Sequence, residues 1–194
     1  MPHDYSLSRY AAPETTSVTL AEAKLQLRQD ESADDALITT LCEAADQHIE
    51  SFLGRRLITQ TWDYKRNSFP CRIELPYPPL VSVSSITYID TNGTTQTLST
   101  DYYAVDVARE PGRITLKYGM SWPSTQCIEN AVTVRYVAGY GAASAVPSAI
   151  KAAAKLLIGH WYESREDVVI GTISAMLPQG AQTLLWPYRI LEIP

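Results

Sequence analysis

Ile49-Glu50-Ser51-Phe52-Leu53-Gly54-Arg55-Arg56-Leu57-Ile58-Thr59-Gln60-Thr61-Trp62 joins two different periodicities. Upstream of it, Leu37, Leu41, Ala44, Ala45, Ile49, Phe52 and Leu53 recur at helical spacing. Gly54 suits the end of that helix, because glycine enters the left-handed region without a Cβ penalty. From Leu57 onward, Thr59, Thr61 and Trp62 are β-prone, and Leu57 to Lys65 reads as a strand. The helix is expected to begin at Ser32, with Asp34 and Asp35 in a first turn where the helix dipole favours negative charge.

Further upstream, Thr19 and Glu22 have the spacing of a capping box. Leu20, Ala23, Leu25 and Leu27 then mark a short helix ending near Arg28 or Gln29. Residues 1–17 hold two prolines and many polar side chains and read as an extended, partly mobile arm. Downstream, short strands are expected at Arg72 to Leu75, Val81 to Asp90, Thr94 to Leu98, Tyr102 to Val107, Arg113 to Tyr118 and Ala131 to Val137. Asn92-Gly93 between two of them is a hairpin signal, since both residues tolerate positive φ. Helical spacing returns after Gly139-Tyr140-Gly141: Pro147 suits a first turn, and Ile150, Ala153, Ala154, Leu157 and Trp161 line one face. A short last helix is expected from Pro178 to Leu185. The order helices, strands, helices argues against βαβ alternation. The fold class is therefore α+β: a helical core from residues 18–56 and 146–194, carrying an inserted antiparallel β sandwich or barrel over 57–145, with the arm over 1–17.

The 194 residues are 45 % hydrophobic and 19 % charged, as in ordinary globular proteins. Net charge is −5, which argues against a sequence-specific DNA binder with a basic face. Cys42, Cys71 and Cys127 are odd in number and form no C-x-x-C, so three reduced thiols are expected. Met1 to Pro13 does not read as a signal peptide, and no apolar run is long enough for a membrane span.

Catalytic patterns are mostly absent. Gly139-Tyr140-Gly141 begins like a dinucleotide fingerprint, but residue 144 is Ser and no βαβ unit opens there. His160 and Glu163, one turn apart, could face one metal ion, but two ligands make an incomplete site. Asp30, Glu31, Asp34 and Asp35 read as solvated helix-start charges, and Asp90-Thr91-Asn92-Gly93 lacks the carboxylates of a calcium loop. Arg55-Arg56 and Lys65-Arg66 are the only adjacent basic pairs; helix-end and loop-edge roles come before DNA-backbone contact. Trp161-Tyr162 and Trp186-Pro187-Tyr188 are candidate partner anchors, with core packing an equal claim on Trp161.

Several blocks together resemble the head–tail connector (adaptor) proteins of tailed bacteriophages. They are Leu20-Ala21-Glu22-Ala23-Lys24 with Leu27-Arg28 and Asp34-Asp35; Ala44-Ala45, Ile49-Glu50 and Gly54-Arg55 leading to Leu57-Ile58-Thr59-Gln60-Thr61-Trp62; Leu75-Pro76, Pro79-Leu80, Val83 and Ile86; Pro147 and Ile150; His160-Trp161-Tyr162-Glu163 with Arg165-Glu166; and Leu184-Leu185 with Pro187-Tyr188-Arg189. They run in order from about residue 18, leaving the arm uncovered.

The resemblance implies a structural virion protein of the neck and not an enzyme, without cofactor or metal. It implies a homo-oligomeric ring, twelve-fold like the portal, that binds the portal protein and offers a surface to stopper or tail-terminator proteins. DNA would pass through without specific binding, and synthesis would be in the bacterial host cytoplasm. The C-terminal segment, with Leu184, Leu185, Trp186, Tyr188, Arg189, Ile190, Leu191 and Ile193, is expected to engage the portal, ordering on assembly. Trp161, Tyr162, Arg165, Val168, Val169, Ile170 and Ile173 are expected between neighbouring subunits. The alternatives are a tail-completion or baseplate component, and a small metal-dependent hydrolase at His160 and Glu163.

Overall fold

The computed structural model describes residues 5–164 and 179–190. The chain divides into two compact units, Met1–Pro13 with Thr59–Tyr140, and Glu14–Ile58 with Gly141–Pro194.

In the second unit, helix α1 spans Leu20–Leu27 and starts on a complete capping box. Thr19 Oγ1 accepts from the Glu22 N–H at 3.3 Å, and a Glu22 carboxylate oxygen accepts from the Thr19 N–H at 3.0 Å. Arg28 closes the helix in the left-handed conformation. Helix α2 spans Asp35–Leu53, so its cap is Asp34 rather than Ser32. Ser32 instead accepts the Asp35 N–H through its carbonyl, in a turn that precedes the helix. The buried stripe of α2 is Ile38, Cys42, Ala45, Ile49 and Leu53; Leu37 is exposed, so the apolar face is rotated from the expected one. Gly54 ends the helix at φ +67°, donating to the Glu50 carbonyl at 3.0 Å. Helix α3 (Ser148–Glu163) follows Pro147 and buries Ile150, Ala153, Ala154, Leu157 and Ile158. Helix α4 (Gln179–Leu185) buries Ala181 and Leu185, and a 3-10 turn, Trp186–Tyr188, follows it.

The first unit is antiparallel throughout. Its strands are β1 (Ser6–Ala11), β2 (Gln60–Arg66), β3 (Ile73–Leu75), β4 (Leu80–Ile89), β5 (Thr95–Thr97), β6 (Tyr103–Asp106), β7 (Gly112–Leu116) and β8 (Val132–Ala138). One sheet has the order β1-β2-β8-β4-β5 and the other β3-β7-β6, and neither closes into a barrel. Strand β8 shows the two-residue period clearly: Val132, Val134, Tyr136 and Ala138 are buried, while Thr133, Arg135 and Val137 are not. They join Tyr64 of β2, Ile73 and Leu75 of β3, Ile86 of β4, Tyr103 of β6 and Ile114 of β7 in a single core fed by both sheets.

The stretch expected as an extended, partly mobile arm is extended, and Ser6–Ala11 of it forms an edge strand of the larger sheet. Leu7 stands opposite Tyr64, and Tyr5 and Leu7 both pack against the core. Their alternation with polar residues is the strand signal that the two prolines and polar composition obscured.

Candidate docking site at the C-terminal segment

The residues after α4 divide by exposure. Leu185 is fully buried, whereas Trp186 is 53 % exposed. Leu184, Tyr188 and Ile190 are half-buried, and Arg189 is exposed. Leu191 and Ile193 lie outside the described residues. The first part of the segment is thus folded onto its own chain. Leu185 lies one helical turn after Ala181, so its side chain serves the core of this unit.

The support beneath the segment is the end of α2. A helix leaves its last carbonyls without partners inside the helix. The Leu53 carbonyl finds one in the Ile190 N–H, at 2.9 Å. Two residues further on, Arg55 Nε donates to the Tyr188 carbonyl at 2.5 Å. Arg55 is only 8 % exposed, so it does not present its charge as a basic surface patch. Arg56 is engaged as well: its Nη1 lies 3.2 Å from Glu50 Oε2, and Glu50 Oε1 accepts the Leu57 N–H at 2.9 Å. The Arg189 guanidinium stands over two rings, with Cζ 5.0 Å from the Phe52 centroid and 5.5 Å from that of Trp186, within cation–π range.

At the end of α3, Tyr162 is tied into its own unit. Its hydroxyl donates to Asp34 Oδ2 at 2.5 Å and accepts from Gln29 Nε2 at 3.0 Å. Trp161 is half-buried and meets the His48 ring edge-on at 5.9 Å. Arg165, Val168, Val169, Ile170 and Ile173 lie outside the described residues.

Other side chains singled out from sequence have local duties. Asp35 pairs with Lys24 at 2.7 Å. The Asp90 carboxylate accepts the N–H groups of Asn92 and Thr94 and the Gln96 amide, stabilising its own hairpin. Glu22 takes Lys151 at 2.8 Å and Lys155 at 3.7 Å. The Lys151 hydrogen bond, with the Thr19 N–H, lowers its pKa to about 2. Among the described residues, no group of three or more His, Cys, Asp or Glu is placed to hold a metal ion, and no helix is long and apolar enough to cross a membrane.

Two part-buried polar pairs, each with one buried member, escaped sequence reading. Asp46 on α2 accepts both the N–H and the hydroxyl of buried Ser17, and burial pushes its carboxyl pKa up against the pull of those bonds. Asp63 on β2 takes Arg135 on β8 at 2.8 and 2.9 Å, and the guanidinium lies 3.4 Å from the Tyr10 ring centroid. Both pairs depend on register between distant segments, and no local motif announces them.

A family model described as head completion protein matches residues 16–191. No curated protein sequence matches the chain. Among solved structures, a chain from the neck of an empty gene transfer agent (GTA) particle, computed with C6 symmetry, is similar at 25 % identity with a TM-score of 0.79. A chain from the virion of a native GTA particle has the same fold at 22 % identity with a TM-score of 0.80. Another, from the neck of a native GTA particle computed with C12 symmetry, has it at 24 % identity with a TM-score of 0.77. In all three, the match covers 97 % of this chain and 97 % of the other.

Proposed function

We propose a function that follows from kinship: the chain belongs to the head completion protein family, and it is a structural protein of the neck that joins head to tail. The observation that carries this is the family match across residues 16–191, which takes in nearly the whole chain. The full-length likeness to neck chains of GTA particles supports the same reading.

The finer reading is a ring between portal and tail that extends the DNA channel. Copies related by a closed rotation need two different, complementary surfaces on each subunit. Twelve copies at −5 each would carry −60 in all, and an acidic conduit holds DNA weakly. The C-terminal segment is the portal-facing part, through Trp186, Tyr188 and Arg189 and the half-buried Leu184 and Ile190, continuing into Leu191 and Ile193. Segment 165–177, with Trp161 and Tyr162 before it, is the contact between subunits, and the far face of the ring receives the stopper or tail-terminator protein.

Cryo-electron microscopy of purified particles tests the reading. Density for this chain as a ring between portal and tail is the expected result. Its absence from the neck, with density at the tail tip, would replace the reading with that of a baseplate component. Aspartate at both Val169 and Ile170 is expected to block ring formation; rings of normal size from that variant would remove segment 165–177 from the subunit contact.

A further inference from the structure

We infer that Arg55 is the positioning residue of the docking segment: together with the last carbonyl of α2, it holds residues 186–190 in one conformation before any partner arrives. The inference rests on the reading that this segment engages the portal. It replaces ordering on assembly with a surface that is already built.

Burying a guanidinium is unfavourable unless its donors are used. Arg55 is nearly buried and spends Nε on the backbone carbonyl of Tyr188 at 2.5 Å. A charged donor on a neutral acceptor makes one of the stronger hydrogen bonds available to a protein. The Ile190 N–H is held by the Leu53 carbonyl at 2.9 Å. These two bonds fall on either side of Arg189, so its backbone is fixed from both flanks. Its exposed side chain is then left against Phe52 and Trp186. A short 3-10 turn containing Pro187 fixes the preceding residues. The indole and the guanidinium therefore leave the surface side by side. The complementary partner surface is an apolar slot with a carboxylate at its rim. A preformed segment loses less conformational entropy on docking than a coil would.

The test uses the full chain with Arg55→Lys, which keeps the charge but cannot place a planar Nε under Tyr188. Hydrogen exchange is read over residues 184–190, and affinity is read by titration onto portal-bearing capsids that lack this protein. Exchange at Ile190 should quicken at least about 10-fold and Kd should rise by about the same factor, as the pre-organisation cost returns. The amount bound at saturation should not change. Ile190→Pro gives a second route should Arg55→Lys fail to fold. It deletes the donor to Leu53, while Arg189 already has the extended backbone (φ −71°, ψ 130°) that a following proline requires. It should raise Kd similarly.

Unchanged exchange in Arg55→Lys would overturn the seat. Faster exchange with an unchanged Kd would overturn its role in docking. A lower saturation at unchanged Kd would reduce Arg55 to a purely structural residue. Arg189→Glu, run beside these, separates the two levels. Normal affinity there would sink the docking reading itself, whereas normal affinity in the Arg55 variant alone would sink only the positioning role.

Discussion

Trp186→Ala and Leu185→Ala are adjacent truncations that should fail in different assays. Trp186 is 53 % exposed, and Leu185 is fully buried. A tryptophan brings up to about 250 Å² to a contact, so the exposed part offers about 130 Å². At about 25 cal/mol per Å², docking that buries it gains about 3 kcal/mol. That corresponds to about a 100-fold change in Kd. Trp186→Ala should therefore weaken attachment to portal-bearing capsids by about two powers of ten, with saturation unchanged. It should also cost the free chain something, because the covered part of the ring lies beside Arg189. Leu185→Ala opens a cavity in a closed site, which costs about 2–5 kcal/mol of stability. Its folded fraction should bind with the parent affinity. The assay is a titration of labelled chain onto capsids, with urea unfolding run on the same samples. If Trp186→Ala binds within about threefold of the parent, docking does not bury the indole and the area reasoning fails. If Leu185→Ala raises Kd without lowering stability, the division of the segment into inner and outer side chains is wrong.

Gly112→Ala should destabilise the β unit by about 1–3 kcal/mol in urea unfolding, through overpacking. A Cβ there would stand 2.4 Å from Leu80 Cδ2 and 2.6 Å from Leu80 Cβ, and only the first can swing aside. Stability equal to the parent would mean that β4 can shift. Asp46→Ala should lose about 1–3 kcal/mol, because the buried Ser17 N–H is left without its acceptor. Asp46→Asn keeps an acceptor and sheds a carboxylate whose pKa burial has raised, a charge that weighs against folding above the carboxylate range. Asn should thus be clearly more stable than Ala at neutral pH, and equal melting temperatures would refute the clamp. Glu22 works with the opposite sign, since its pKa falls from 4.5 to about 2 on folding, mainly through Lys151. Its contribution is complete above pH 4.5 and is lost as pH falls to about 2. Solvent screening leaves about 1 kcal/mol of it, and Glu22→Gln should flatten that part of the stability curve. An unaltered acid limb would place the effect elsewhere.

The elements that could be read from sequence are those whose signals are local. The Thr19 and Glu22 capping box forms as expected, Gly54 takes its left-handed cap, and each expected strand from β2 to β8 appears within a few residues of its place. What could not be read depends on partners far along the chain. The face of α2 turned inward because Ile38 and Cys42 were chosen over Leu37 by packing, and the spacing rule accommodates either stripe. Strand β1 was hidden because it sends Leu7 to the core with Tyr5 just ahead of it, too brief an alternation to stand out among polar residues. The pairing of Asp63 with Arg135 joins positions 72 residues apart, and only the β2–β8 register brings them together.

For the C-terminal segment, composition could not sort the side chains into buried and exposed. A terminal run rich in Leu, Ile, Trp and Tyr reads as adhesive throughout. The four-residue step from Ala181 to Leu185 is the signal that a helix still holds Leu185 inward, while Pro187 marks where the chain turns out. The same geometry bears on force. A partner that grips Trp186 and Arg189 pulls on the Tyr188 carbonyl and the Ile190 N–H, and so on Arg55 and Leu53. Those two residues flank the Gly54 cap, and Glu50, one turn back, holds both the Gly54 N–H and the Leu57 N–H. Load applied at the segment is thus carried into the end of α2, the longest helix described, rather than into a hinge. Glu50, Gly54, Arg55 and Leu57 thus form one hydrogen-bonded end of α2, the place where such load would arrive.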